Sequence, residues 1–422
     1  MSTQLYKARY VLPITAAPIE DGAILIQNDR ITAVGEVSQL PVPTDAETID
    51  FGEAILMPPL VNAHTHLELT DFSKWAKQKD QEPGSFVDWI LELIKTKHEL
   101  EPEQLQRSVQ HGLQQLLQSG TGAVCDILSV PALYNCYIET PLYGWLCYEL
   151  IGLDDGMGAI LSMMANDWLQ YRSAGKLKCG LSPHAPYTVG PESLQKIVEL
   201  AQDKQVMTSM HLGESPDETA FLAASQGEIA NKLYPTVGWQ TPTPPLATNP
   251  VDYVAKAGGL NRHNLLVHGV QLDADAIGRL ARAGANLVLC PRSNERLEVG
   301  RAPIESYFCQ GINLALGTDS LASNDSLSLW DEMAAARRIY GEILSPVQIL
   351  AMATINGARA LNISADFGSL EAEKGTHFQV LKPDHLPAAA ELPEFLCCGE
   401  RGSEVAHLYL DNVDVLAEPD LC

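Results

Sequence analysis

Apolar positions along the chain come in short runs, and what separates those runs changes after residue 54. Before it, β-rich stretches at Leu5 to Ile14, Ala23 to Ile26 and Ile31 to Val34 are broken by turn residues such as Gln27-Asn28-Asp29-Arg30. None of these stretches sustains a helical period, so a small β unit is predicted. Beyond it, eight apolar runs (54–63, 121–127, 142–150, 177–182, 205–210, 264–269, 286–290 and 312–317) alternate with helix-length amphipathic stretches. That alternation predicts repeated βα units and a parallel sheet, and eight of them predict a (β/α)8 barrel of the TIM type.

Helix signals fall between the runs. Ser85 is placed to cap a helix with Asp88 at the capping-box position and Phe86, Trp89, Ile90, Leu93 and Ile94 on one face. Pro191 opens a stretch carrying Leu194, Ile197, Val198 and Leu200, and Ser326 to Tyr340 predicts the helix after the last strand. Tyr234 to Asn249 interrupts the rhythm with Pro235, Pro242, Pro244 and Pro245, so neither a helix nor a central strand is predicted there. A long loop inside a compact domain reads as a lid or binding loop, which makes Trp239 a candidate substrate contact; a surface excursion is the competing reading. The tail returns to short runs (HFQVL, VAHLYL, VDVLA). We therefore expect an α/β chain with a barrel at 57–362 and one small β-sandwich domain composed of 1–56 and 363–422.

Charge narrows the partners. Lys and Arg total 28 against 53 Asp and Glu, a formal net charge of −25. So acidic a surface repels phosphate backbones, which argues against nucleic acid and anionic membrane. No apolar run reaches the ~18 residues of a membrane span, and the N-terminus lacks a charged-then-apolar signal plan. Nine cysteines at irregular spacings, without C-x-x-C, make neither a disulfide framework nor a zinc-thiolate site. A cytoplasmic protein acting on small molecules is expected.

Candidate chemistry follows the apolar runs. His64 and His66 follow the first run, His211 and Glu214 the fifth, His268 closes the sixth and Asp319 follows the eighth. In a barrel, strand C-terminal ends converge on one mouth, so these residues would share a pocket. His64 and His66, two apart on an extended chain, project to one side. With His211 and Asp319 they make an N3O set suited to one divalent ion, Zn2+ before Fe2+, with a position left for water. Glu214 is placed to move a proton between that water and a leaving nitrogen. His268 is placed to orient the attacking water. A hydrogen-bonded core histidine is the competing reading for any one of these, and a helix N-terminal carboxylate for Glu214. Three further candidates are substrate contacts: His184 in Ser182-Pro183-His184, Arg292 toward a carboxylate or phosphate, and Glu68 toward sugar hydroxyls.

The pieces AHTH, PHAPYT, HLGES, LVHG, CPRSN and LGTDSLASN, in that order, resemble the amidohydrolase superfamily. The nearest likeness is to its cytosine-deaminase/chlorohydrolase-like branch, which holds S-adenosylhomocysteine/methylthioadenosine, guanine and aminodeoxyfutalosine deaminases. The resemblance implies a metal on His64, His66, His211 and Asp319, Glu214 as proton shuttle and His268 beside the attacking water. It also implies nucleoside contact by His184 and a homodimer. Dinuclear members carry a bridging carboxylated lysine at the end of the fourth strand; Ser182-Pro183-His184 stands there instead, so a mononuclear site is implied. AHTHLEL departs from the AHTHxAM-like run of the adenosylhomocysteine group, and HLEL and LASN are closer to aminodeoxyfutalosine deaminase-like sequences, where Arg292 would meet a benzoate. The expected function is deamination of a purine nucleoside or related heterocycle. Hydrolysis of a C–Cl, amide or cyclic C–N bond at the same site is the alternative.

Overall fold

The computed structural model describes residues 3–76, 84–153, 156–399 and 401–417. Eight parallel strands, with the two-residue Ser173–Ala174 added antiparallel beside the fourth, form the larger sheet, and each of the eight falls on one of the eight apolar runs. They are β1 (Leu60–Thr65), β2 (Thr121–Leu128), β3 (Tyr143–Leu150), β4 (Leu177–Pro183), β5 (Thr208–Leu212), β6 (Asn264–His268), β7 (Asn286–Leu289) and β8 (Asn313–Leu316). Neighbours in sequence are neighbours in space, and a parallel bridge between Thr65 and Asp319 brings the two ends of the sheet together. The closure thus runs through residues of the predicted site. Gly317 permits it, because a Cβ there would lie 2.8 Å from the His64 carbonyl oxygen.

The second sheet draws on both chain ends. Its order is Val413–Asp414, Val405–Leu410, Phe378–Leu381, Ile55–Met57, Thr3–Val11, Ile19–Gln27 and Arg30–Glu36, with Glu47–Asp50 also pairing with Thr3–Val11. Alternation along the strands buries Tyr6, Ala8, Ile24 and Ile26 in one cluster and Leu5, Ala23 and Leu25 in another. The two sheets meet closely: the Tyr143 hydroxyl at the start of β3 donates to Asp411 at 2.5 Å.

Three local readings are corrected. The run 54–63 is two strands in different sheets, since Pro58-Pro59 interrupts the ladder between Ile55–Met57 and β1. Tyr234–Val237 is helical after all, because Pro235 sits in its first turn, where no amide hydrogen is needed; the stretch after Trp239 is loop as expected. The last predicted helix begins at Leu329, not Ser326. The helices at Phe86–His98 and Pro191–Lys204 lie where their signals place them, with the Ser85 hydroxyl accepting from the Asp88 amide. The eight cysteines among the described residues are free thiols, and no helix among those residues is long and apolar enough to cross a membrane.

Candidate active site

At the C-terminal mouth of the barrel, His64, His66, His211 and Asp319 each turn a ligand atom inward, all within 4.8 Å of one another. His64 Nε2 and His66 Nε2 are 3.2 Å apart. Asp319 Oδ1 lies 3.8 Å from the first and 3.6 Å from the second. Ligands held ~2.0–2.1 Å from a tetrahedral ion stand roughly 3.3 Å apart, so the spacing fits one cation.

Each group is aimed by a partner behind it. His211 Nδ1 donates to the His184 carbonyl at 2.9 Å, which turns its Nε2 lone pair into the cluster. Asp319 Oδ2 accepts from Ser293 Oγ at 2.6 Å and Ser323 Oγ at 2.9 Å, leaving Oδ1 toward the histidines. Beneath them the Asn62 amide donates to Thr318 Oγ1 at 2.8 Å and accepts from the His64 and Thr318 amides. Asp319 and His268 are held at φ +57° and +74°, a strained left-handed geometry for non-glycine residues.

The electrostatics suit a metal centre. Burial, with neighbouring imidazoles, holds His64 well below its ordinary value, and burial brings His66 down to about 4. Neutral imidazole is the ligand form. Burial alone would raise Asp319, but His268, His66, His64 and His211 together hold it below the usual carboxylate range.

Glu214 and His268 stand beside this cluster. Glu214 Oε1 lies 3.6 Å from His268 Nε2. Asn294 Oδ1 accepts from His268 Nδ1 at 2.9 Å, so the His268 Nε2 lone pair is open. Burial pushes the Glu214 carboxyl up to about 8, a value from which it can both take and give a proton near neutrality.

The remaining candidates are placed differently from one another. The His184 ring lies 4.8 Å from that of His211, with Nδ1 on Thr188 Oγ1 at 2.8 Å. Glu68 is buried, and its oxygens are taken by Lys97 and by the Ser129 hydroxyl (2.6 Å) and amide (3.0 Å). Lys97 holds Glu68 below its ordinary value despite burial. Arg292 pairs through Nη2 with Asp325, and its buried Nη1 faces Asp331 Oδ2 at 3.6 Å, so both ends of the guanidinium meet carboxylates. Trp239 packs edge-on against Tyr234 at 5.5 Å, and Tyr234 in turn donates to the Tyr187 carbonyl.

Several residues of the site carried no expectation. Ser293, Asn294 and Ser323 lie inside the quoted pieces CPRSN and LGTDSLASN, yet only the three-dimensional pairing reveals their tasks. Glu149, near the end of β3, is pushed up to about 7 by burial, with Lys97 opposing. Position at the end of the third run was the available signal.

A barrel with imidazoles and a carboxylate gathered at its mouth defines a metal-dependent hydrolase. The chain belongs to the amidohydrolase family, whose match covers residues 55–399, and it acts on carbon–nitrogen bonds. A 5-methylthioadenosine/S-adenosylhomocysteine deaminase of Moorella thermoacetica is 31% identical over 435 residues, covering 100% of this chain and 96% of that one. Among solved structures, Helicobacter pylori aminofutalosine deaminase in complex with methylthio-coformycin superposes with a TM-score of 0.85 at 25% identity, covering 98% and 100%. A zinc-bound adenosine deaminase from Xanthomonas campestris shares the fold with a TM-score of 0.80 at 23% identity, covering 98% and 92%.

Proposed function

We propose that the chain is a mononuclear deaminase that replaces the exocyclic amino group of a purine nucleoside or related amino-heterocycle by oxygen from water and releases ammonia. The observation that carries this reading is the Glu214–His268 pair, 3.6 Å apart, set beside the four-group cluster. The names of the similar proteins, deaminases of adenine nucleosides, support the same substrate class.

A divalent ion on His64, His66, His211 and Asp319, which we take to be zinc, would supply water activated for attack near neutral pH. The chain's own groups do the rest. His268, its Nδ1 proton committed to Asn294, offers Nε2 as acceptor to the attacking water. Glu214 takes a proton from that water as the C–O bond forms and the ring carbon becomes tetrahedral, then passes it to the nitrogen, so that the C–N bond breaks and ammonia leaves neutral. Ammonia needs a proton to leave and chloride does not, so a Glu214 placed to deliver one favours the deaminase reading over dehalogenation. His184 supports the nucleoside from β4 and Trp239 bounds the rim. We assign Glu149, whose carboxyl has no hydrogen-bond partner among the described residues, to hydrogen-bond donors on the substrate.

The test is an ammonia-release screen with zinc-reconstituted protein over adenine nucleosides, guanine, cytosine and triazines. A purine nucleoside should be turned over best, and Glu214→Gln should lower that rate by about 10²–10⁴-fold at unchanged metal content. No ammonia from any member, or Glu214→Gln activity within tenfold of the parent, would overturn the reading.

A further inference from the structure

The loop that delivers Glu214 is secured in an unusual way. After β5, Gly213 turns the chain at φ +60°, and a Cβ there would lie 2.6 Å from Leu272 Cδ2. Ser215 then caps the helix Pro216–Ala224, its hydroxyl accepting from the Glu218 amide at 3.3 Å. In an ordinary S-x-x-E capping box the glutamate reaches back to the amide of the cap residue itself. Glu218 reaches further: Oε1 accepts from the Gly213 amide and Oε2 from the Glu214 amide, each at 3.0 Å. Glu218 is fully buried, and the Gly213 carbonyl is tied in turn to the Gln271 amide at 2.7 Å. Burying an acidic side chain, which here raises its pKa to about 8, is a costly way to satisfy two amides. Ordinary helix capping needs only Ser215.

We infer that Glu218 is a positioning residue: by clamping the Gly213 and Glu214 amides it fixes where the Glu214 carboxyl stands relative to the reacting carbon and nitrogen. The inference rests on the proton-shuttle reading of Glu214 and adds a residue seven positions past His211 to the machinery. Its consequence is selective. Glu214 must protonate nitrogen before ammonia departs, whereas chloride leaves without a proton. Loosening the clamp therefore slows deamination more than dechlorination, while damage to the fold or to metal binding slows both alike.

Two readouts test it on zinc-loaded protein, comparing Glu218→Gln and Glu218→Ala with Ser215→Ala, which removes the cap and leaves the clamp. The first is hydrogen–deuterium exchange of the peptide containing Gly213 and Glu214. The second is turnover of adenosine against 6-chloropurine riboside, with zinc content measured alongside. The Glu218 variants should speed exchange at those two amides and lower kcat for ammonia release about 10- to 100-fold, the range a sub-ångström to 1 Å misplacement produces. KM should stay within threefold, zinc content should hold, and chloride release should fall clearly less than ammonia release, because both reactions need Glu214 to take the water's proton and only deamination needs it to deliver that proton to the leaving group. Ser215→Ala should leave exchange at the two amides and the adenosine-to-chloropurine ratio unchanged. Unchanged exchange in both Glu218 variants, or parallel losses on the two substrates, would overturn the assignment. Should the parent protein release no ammonia at all, the deaminase reading falls, and the exchange result alone decides whether Glu218 holds the turn.

Discussion

Replacing His377 with phenylalanine should remove a specific acid weakness from the junction of the two sheets. The imidazole is 4% exposed, stacks on Phe367 at 4.0 Å and 17°, and lies 5.0 Å from the Tyr143 ring. Its Nδ1 accepts from the Asp411 amide at 3.2 Å. Burial lowers its pKa from 6.5 to about 4, with Asp411 and Asp366 opposing only in part. The sign follows from linkage: the fold prefers the neutral ring, so the stability it gains above the unfolded value of ~6.5 is lost as pH falls toward 4. At ~1.4 kcal/mol per pH unit, that interval amounts to ~3 kcal/mol. Phenylalanine keeps the stacking and cannot titrate, but it leaves the Asp411 amide without its acceptor, a loss of ~1 kcal/mol at pH 7. His377→Phe should therefore be slightly less stable than the parent at pH 7 and about 2 kcal/mol more stable at pH 4. Urea denaturation followed by tryptophan fluorescence at the two pH values measures this. A stability difference between variant and parent that stays constant to ~0.5 kcal/mol across that range would refute the reasoning.

Two pairs of substitutions probe the site's supports. Lys97→Met strands the Glu68 carboxylate, whose side chain is 1% exposed, and should destabilise the protein by ~3–5 kcal/mol, with Glu68→Leu added to it restoring much of the loss in a thermal melt. Ser293→Ala with Ser323→Ala removes both hydroxyl donors from Asp319 Oδ2 and should weaken zinc binding about 10- to 100-fold, read by competition with a chelating dye.

What the sequence reveals here tracks how local the deciding physics is. Each barrel strand is an apolar run bounded by turn residues, and the end of such a run is a position in the mouth, so His64, His66, His211, His268 and Asp319 could be placed from the chain alone. The run at 54–63 looked like one strand because its apolar character is continuous; only the pairing of Ile55–Met57 with Thr3–Val11 separates it from the barrel. Glu68 looked available for a sugar, but its partners, Lys97 and Ser129, stand 29 and 61 residues away. Arg292 is likewise engaged by Asp325, 33 residues on. Such pairings depend on which helix packs over which strand end, and no periodicity encodes them. Glu218 shows the same limit from close range: the S-x-x-E spacing is legible, but a capping box and a clamp on the preceding turn share it.

Whether three imidazoles and one carboxylate share a single ion can be seen by anomalous diffraction at the zinc edge from crystals of zinc-reconstituted protein. One peak per chain is expected, about 2.0–2.3 Å from a nitrogen of His64, His66 and His211 and from an oxygen of Asp319. A second peak bridged to the first, or a peak coordinated by Glu214 and His268 without His64 and His66, would contradict it.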